Sequence, residues 1–392
     1  MSDTEIKAVF IVNTRIDNNV GRRVQGLVNT INKFNSDIKV EYASYYESSI
    51  PKRIIDLIKI LFSKSMIVHI IEPFGPSFIF LPFFRIFRKK IIYQTGDVHY
   101  LNAQFIGLKS AKFSTISKLS EKIHYIFSNV FVVGSLGLKE FLVTEMNISS
   151  DRILKVNYLG CPDIIGKENA NQIEQQNSLT PLIEIDSKIS GKFIIAYSGA
   201  LWIMNTQGKM IPRGWEIPFI IKALRDKGHN DVVALVTGDG PGKDKIEEIS
   251  QNLGVKDAIL MAGNISRELY FSFLKRAHIC FVESFDDKTY QMKDPSKISD
   301  YVQVDCPFIW SLNKESKLWK DYPLLVKPPD LKNDIYKLNG NYISSIAKLI
   351  DLYIADKSFR ERCVLSFKEL KENFPNWDSI SRSVMDIYRS LL

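Results

Sequence analysis

The sequence predicts an α/β chain made of two consecutive doubly wound domains, each a parallel sheet covered by helices. Three observations point there. A chain of 392 residues exceeds what one hydrophobic core ordinarily organises, and two domains are the natural expectation. Both halves alternate short, continuous apolar runs with amphipathic stretches, the rhythm of strand, helix and strand in a parallel sheet. Between them, Gly166 to Ser190 is rich in Asn, Gln, Ser and Glu with Pro181 inside, which reads as a linker. The expected division is residues 1–175, a linker at 176–190, a second domain at 191–372, and a last segment at 373–392.

The elements follow in order. Ala8–Val12 reads as a buried strand, followed by a loop from Asn13 to Val20. Gly21 to Phe34 has helical spacing, with Val24, Leu27, Val28 and Ile31 on one face. Strands are expected at Ile38–Tyr42, Met66–Ile71, Ile91–Tyr93 and Val130–Val133, and helices at Arg53–Phe62, Lys109–Asn129 and Leu138–Met146. In the second half, strands are expected at Phe193–Tyr197, Val232–Val236, Ala258–Met261, Ile279–Val282 and Pro307–Trp310. Helices are expected at Pro218–Lys227, Lys243–Leu253, Arg267–Arg276, Pro295–Val302 and Ile343–Asp356. Trp377 to Leu392 closes the chain with helical spacing through Ile380, Val384, Ile387, Tyr388 and Leu391. Two such domains leave a cleft at their facing strand ends, where ligands bind.

Composition narrows the class. Hydrophobic residues make up 45% and charged residues 24%, an ordinary globular balance. Met1 to Lys7 is polar and Ala8–Val12 is too short for a signal-peptide core, so no secretory leader is expected. The most apolar stretch, Met66 to Phe84, contains His69, Glu72, Pro73, Gly75, Pro76 and Pro82, which argues against a membrane-spanning helix. The cysteines Cys161, Cys280, Cys306 and Cys363 form no CxxC pair and read as reduced thiols of a cytoplasmic protein. Between Pro51 and Tyr125 there are twelve Lys/Arg against four Asp/Glu, a surplus of eight that equals the whole chain's net charge of +8. Such concentration points to an anionic surface or a phosphate-bearing partner, or to a solvated basic face; nothing points to nucleic acid.

Three segments are candidates for chemistry. In Asp294-Pro295-Ser296-Lys297-Ile298-Ser299-Asp300-Tyr301, Pro295 suits a first helical turn. The helix start offers free N–H groups, Lys297 adds a charge, and Asp300 lies one turn on, placed to accept two ribose hydroxyls. A capped surface helix with an incidental lysine fits equally well. Val232 to Val236 runs into Thr237-Gly238-Asp239-Gly240-Pro241-Gly242, a strand, glycine turn and helix of nucleotide-binding type, although neither GxGxxG nor a Walker loop. Tyr197-Ser198-Gly199-Ala200-Leu201, followed by Arg213-Gly214, offers close backbone approach and a cation. Either of these last two is no more than a structural turn by itself.

Together these pieces resemble family 4 of the retaining glycosyltransferases. The similarity extends to Asn252-Leu253-Gly254-Val255, to Gly263 before the next helix, and to Asn376-Trp377-Asp378 before a helix with Tyr388. In the first half, Asn18, Gly21 and Arg22 resemble the turn after the first strand. Asp97 and His99 stand where the family has a His-Asp pair, and Asn157 to Asp163 is similar to its Pro-Asn-Gly-x-Asp segment. The resemblance implies the GT-B architecture: two Rossmann-like domains facing a cleft, the first binding acceptor, the second binding donor, and a final helix crossing back. It implies transfer of a sugar, hexosyl in type, with retention, from a nucleotide-sugar donor (UDP- or GDP-linked) to a glycan or lipid-linked acceptor. Lys297, Arg213, Asp97 and His99 are then the catalytic candidates. Gly199, Gly238, Asp239, Gly240, Pro295, Ser296, Asp300, Tyr301 and Glu283 are the donor-binding candidates, and Asn18, Gly21 and Arg22 lie on the acceptor side. No metal or cofactor is implied, because there is no DxD triplet and Lys, Arg and a helix start neutralise the diphosphate.

Two positions depart from the pattern. The first acid of the family's glutamate pair falls on Met292, with Glu283 or Asp286 as substitutes, and its Gly-Arg is Gly199-Ala200. These leave open a catalytically degenerate partner subunit, or a sugar-nucleotide epimerase on the same fold. Finally, Phe74, Phe78, Phe80, Phe83, Phe84 and Phe87 precede Arg88-Lys89-Lys90 inside the basic window. They fit either a helix packed on the sheet or a peripheral contact with the anionic inner face of the membrane.

Overall fold

The computed structural model describes residues 5–13, 19–34, 37–44, 48–72, 75–101, 111–156, 185–206, 209–283, 285, 288–292, 295–311, 319, 321–329 and 340–392. Asn18, Phe74, the segment Asn157 to Asp163, Asp286, Asp294 and residues 176–184 of the expected linker lie outside them.

The first half forms β1 (Ile6–Val12), α1 (Asn19–Lys33), β2 (Ile38–Ser44), α2 (Ile50–Phe62), β3 (Ile67–Ile71), α3 (Ser77–Ile86), β4 (Lys90–Thr95), α4 (Ala111–Phe127), β5 (Val130–Val133), α5 (Leu136–Thr144) and β6 (Ile153–Lys155). The strands pair in parallel in the order β2-β1-β3-β4-β5-β6. Runs such as Ile67–Ile71 are buried throughout, as expected of strands covered on both faces. One face of the sheet packs on α1. The other packs on Leu57, Ile60 and Leu61 of α2 and on Leu81 and Phe84 of α3, with Ile123 and Phe127 of α4 against them.

Helix α3 corresponds to one of the two readings of the phenylalanine run, a helix packed on the sheet. Its apolar residues cover nearly the whole circumference, so no 3.6-residue stripe marks it, and Pro82 lies inside it. Of the phenylalanines, Phe84 is buried, Phe78 and Phe80 are half-buried against the core, and Phe83 and Phe87 are exposed.

The second half forms β7 (Phe193–Ser198), the hairpin β8 (Ile203–Thr206) and β9 (Lys209–Pro212), α6 (Glu216–Asp226), β10 (Val232–Thr237), α7 (Lys243–Asn252), β11 (Ile259–Gly263), α8 (Arg267–Leu274), β12 (Ile279–Val282), α9 (Lys288–Gln291), α10 (Lys297–Gln303), β13 (Phe308–Ser311), β14 (Leu325–Val326), α11 (Gly340–Ala355) and α12 (Lys357–Glu372). Its parallel sheet runs β11-β10-β7-β12-β13-β14. Residues 185–189 are helical, and Ile185 and Ile189 already belong to this second core. The hairpin, β6, β14, α9 and α12 are absent from the sequence reading: the strands are too short for a period to show, and α12 buries only Cys363 and Phe367.

The last helix, α13 (Trp377–Ser390), returns to the first domain. Its start is fixed by a capping box between Asn376 and Ser379. Ile380, Val384, Ile387 and Tyr388 pack with Val24, Leu27 and Ile31 of α1. Gly26 makes the approach possible: a Cβ there would lie 2.6 Å from the Trp377 ring.

Candidate functional site

In an open α/β sheet, ligands bind beyond the carboxyl ends of the strands, where the strand order reverses. The reversal lies between β1 and β3 in the first sheet and between β7 and β12 in the second. Both edges face one cavity of about 340 Å³. The first domain lines it with Glu72, Gln94, Thr95, Gly96, Asp97 and Gly134, together with one side of α1 around Arg23 and Val24. The second domain contributes Arg213, Glu283, Tyr290, Pro295, Ser296 and Lys297.

The second domain's wall is a charge cluster. Glu283, the residue after β12, has a side chain 1% exposed. It accepts a 2.6 Å hydrogen bond from Lys297 Nζ and a 2.9 Å bond from Arg213 Nε, with Arg213 Nη2 also on the same oxygen. Burial pushes its carboxyl up, but the charges of Arg213 and Lys297 and their hydrogen bonds prevail and hold it at about 2. Burial draws the Lys297 ammonium down, while Glu283 opposes the change. Lys297 Nζ also lies 4.2 Å from the centre of the Tyr197 ring. Beside them Glu216, on the first turn of α6, is fully buried, and burial followed by the Glu283 charge pushes it up to about 8. At neutral pH the wall therefore holds two cations against one carboxylate.

The glycine turns are the frame of this wall. Gly199 has φ +149° and Gly238 φ +116°, and a Cβ on Gly238 would lie 2.1 Å from Gly199 O. Only glycine allows the ends of β7 and β10 to meet, and Gly199 N donates to Thr237 O at 3.0 Å. Gly199, Gly238, Asp239 and Gly240 do not themselves line the cavity. Asp239 caps its own turn by accepting from Gly240 N at 2.8 Å. Gly199 lies next to the cations, since a Cβ there would be 3.5 Å from Lys297 Nζ.

Pro295 and Ser296 lie in the wall as expected, and the helix following them spans Lys297 to Gln303. Asp300 is partly exposed and engaged by Arg267 Nη2 and the Tyr270 hydroxyl, both at 3.2 Å. Tyr301, expected on the donor side, lies in the core of the second domain. It is fully buried, with its hydroxyl on Ser198 Oγ at 3.0 Å and Phe281 O at 3.3 Å, so it anchors the helix to the core and does not face the cleft.

Across the cavity, Glu72 of the lining forms an ion pair with His99, which does not itself line the cavity, and His99 pairs with Glu72 rather than with Asp97. Burial draws the imidazole down, but the Glu72 charge and hydrogen bond prevail, and the pKa is pushed up to about 9. The backbone N–H of His99 donates to Glu121 Oε1 at 2.7 Å, and burial pushes Glu121 up to about 7. Glu72 was missed as a site residue. Its signal was position: it directly follows β3 at the strand-order reversal, with φ +65°. Gly21 and Arg22 lie in α1, whose neighbouring Val20 and Arg23 line the cavity.

Met292, where the family pattern has an acid, does not face the donor wall. It is 4% exposed and packs into the first domain beside Tyr93, Val98 and Phe131. Its carbonyl accepts from Ser135 Oγ at 2.6 Å, and Gly137 lies against Gln291 O. Glu283 is thus the acid that meets the cations.

This arrangement of two Rossmann-like domains around one cleft is the GT-B fold. Solved structures share it. WaaG, a glycosyltransferase involved in lipopolysaccharide biosynthesis, superposes with a TM-score of 0.63 at 10% identity, over 98% of this chain and 99% of that one. The pneumococcal O-GlcNAc transferase GtfA, in complex with UDP and GlcNAc, matches with a TM-score of 0.56 at 11% identity, over 86% of this chain and 59% of that one. A UDP-N-acetylglucosamine 2-epimerase matches with a TM-score of 0.52 at 10% identity, over 97% and 95%. No protein-family model and no curated protein sequence matches the chain.

Proposed function

We propose that this protein is a retaining glycosyltransferase of the family 4 type, moving a hexosyl group from a UDP- or GDP-sugar to a glycan or lipid-linked acceptor. The observation that carries the reading is the Arg213–Glu283–Lys297 cluster in the cavity wall, two cations oriented by one buried carboxylate. Preorganised cations in a partly dry cleft stabilise the charge that develops on a leaving diphosphate. In the proposed step the bond from the sugar's anomeric carbon to the diphosphate breaks, and the electron pair leaves with the phosphate oxygen. The acceptor hydroxyl bonds to the same carbon from the same face, and its proton passes to the departing phosphate. Lys297 and Arg213 supply the neutralising charge, so the step needs no metal. Asp300 would hold the donor ribose. The wall formed by Asp97, Glu72 and the start of α1 would receive the acceptor at the first domain, with His99 paired to Glu72.

A second reading rests on the Glu72–His99 pair opposite the cations. Ionisable groups there suit proton transfer at the sugar itself, as a sugar-nucleotide epimerase requires. The test is a thermal-shift screen of UDP-, GDP- and TDP-sugars; a ligand at a hundred times its Kd stabilises by about 2.7 kcal/mol. The stabilising sugar nucleotide is then incubated alone and followed by NMR. Release of nucleoside diphosphate supports transfer, and an epimeric sugar nucleotide supports the second reading. No stabilisation and no turnover would leave a degenerate partner subunit.

A further inference from the structure

Helices α2, α3 and α4 lie side by side as one layer on the face of the first sheet opposite α1 and α13. Their inner residues fill the core. Their outer residues are also apolar. On α2 these are Ile50, Ile54, Ile55, Ile58 and Phe62; on α3 they are Ile79, Phe83 and Ile86, continued by Phe87; on α4 they are Ile116, Leu119 and Ile126. Among the described residues, twelve of the seventeen exposed large apolar side chains belong to this one layer. Exposed apolar residues scattered singly need no explanation, whereas a contiguous group marks a contact surface. Phe62 and Phe87 are 68% and 45% exposed yet touch edge to face, with ring centres 5.2 Å apart. Buried Lys89 ties the two helix ends together through Ser63 O and Ser65 O, at 3.0 and 2.7 Å.

The charge around this apolar surface selects its partner. Lys52, Lys64, Arg85, Arg88, Lys118 and Lys122 are exposed on the same layer. The three helices contain only two acids: Asp56, which faces Lys59 at 3.6 Å, and Glu121, which is buried. A second copy meeting this face across a two-fold axis would set cation against cation. A bilayer with anionic headgroups offers counter-charge to the cations and an acyl boundary to the isoleucines and phenylalanines. None of the described helices is long and apolar enough to cross a membrane, so the contact lies in the interface plane. All three helices begin at the cleft end of the sheet.

We infer that the α2–α3–α4 layer docks this protein on an anionic lipid bilayer, with Phe62, Ile86 and Phe87 entering the headgroup boundary. The inference stands whether or not the chain transfers sugar, and its test contains no sugar. The full chain is sedimented with phosphatidylcholine vesicles and with mixed phosphatidylcholine–phosphatidylglycerol vesicles, at low and high salt. Binding is expected to the mixed vesicles only, and lost at high salt, because the attraction is screened within about 8 Å at physiological ionic strength. Replacing Lys118 and Lys122 by Gln should weaken binding about 25-fold, at about fivefold per cation. Replacing Phe62 and Phe87 by Ser should weaken it by more than about tenfold. Unchanged melting temperatures show that the variants fold, and the lysine pair and the salt series decide the matter if the phenylalanine variant does not. Absence of binding to either vesicle at low salt overturns the inference. So does a wild-type dimer that the phenylalanine variant dissociates, since the face would then be covered by a second copy.

Discussion

Glu283→Gln is the sharpest perturbation of the site, because it keeps the shape of the side chain while removing its charge and one of its two accepting oxygens. The carboxylate is 1% exposed and serves Lys297 at 2.6 Å and Arg213 at 2.9 Å, whose side chains are 10% and 24% exposed. Removing one partner of a buried ion pair costs about 3–5 kcal/mol, since the remaining charge is left without compensation. Here two cations are left, and the total stability of a folded protein is only about 5–15 kcal/mol. The variant should therefore melt well below the wild type. A nucleoside diphosphate should then stabilise the variant more than the wild type, because its phosphates supply the missing negative charge at the same cations. Thermal unfolding with and without UDP or GDP measures both effects. A variant that melts with the wild type would show that the cluster is not the keystone of this wall. A destabilised variant that neither nucleotide rescues would remove the diphosphate from the cations.

Three further outcomes are expected. Lys297→Ala should lower kcat/KM more than tenfold, about 1.4 kcal/mol or more. It should also cost about 1.5–3 kcal/mol of stability through the lost hydrogen bond to Glu283, so turnover is measured below the variant's own melting temperature; near-normal turnover would dismiss the role. Glu216 keeps in the folded chain a proton that the unfolded chain releases near the ordinary 4.5, because its folded pKa is about 8. Its contribution is thus complete below pH 4.5 and is lost as pH rises through about 8; Glu216→Gln should flatten that fall in melting temperature between pH 5 and 9, and parallel curves would refute the assignment. Gly137→Ala should place a Cβ 2.1 Å from Gln291 O, displacing α9 from the first domain at about 1–3 kcal/mol; an unchanged melting temperature would show that this contact is not tight.

The alternation of buried runs and amphipathic stretches was enough to read the two-sheet architecture, because parallel strands covered on both faces must be continuously apolar. Lys297, Pro295 and Arg213 stood out as candidates in the sequence, since a helix start and a lone cation beside a glycine turn are local signals, and all three line the cavity. Glu72 was not, because its significance lies in the strand order, and strand order is not written in any local period. Helix α3 was legible only as one of two alternatives for the opposite reason: its outer face is as apolar as its inner one, so the stripe that identifies a soluble helix is missing.

The sequence by itself thus determined the longer strands and the striped helices, the glycine positions at the strand ends and the sign of the charge in the first domain. Each depends on residues near one another in the chain: hydrophobic period, backbone freedom and composition. Only the tertiary structure decided which charges meet. Arg213, Glu283 and Lys297 are separated by 70 and 14 residues and converge because β7 and β12 are neighbours in the sheet. Met292 entered the first domain's core, and Tyr301 the second's, because each segment was placed by packing partners far away in sequence.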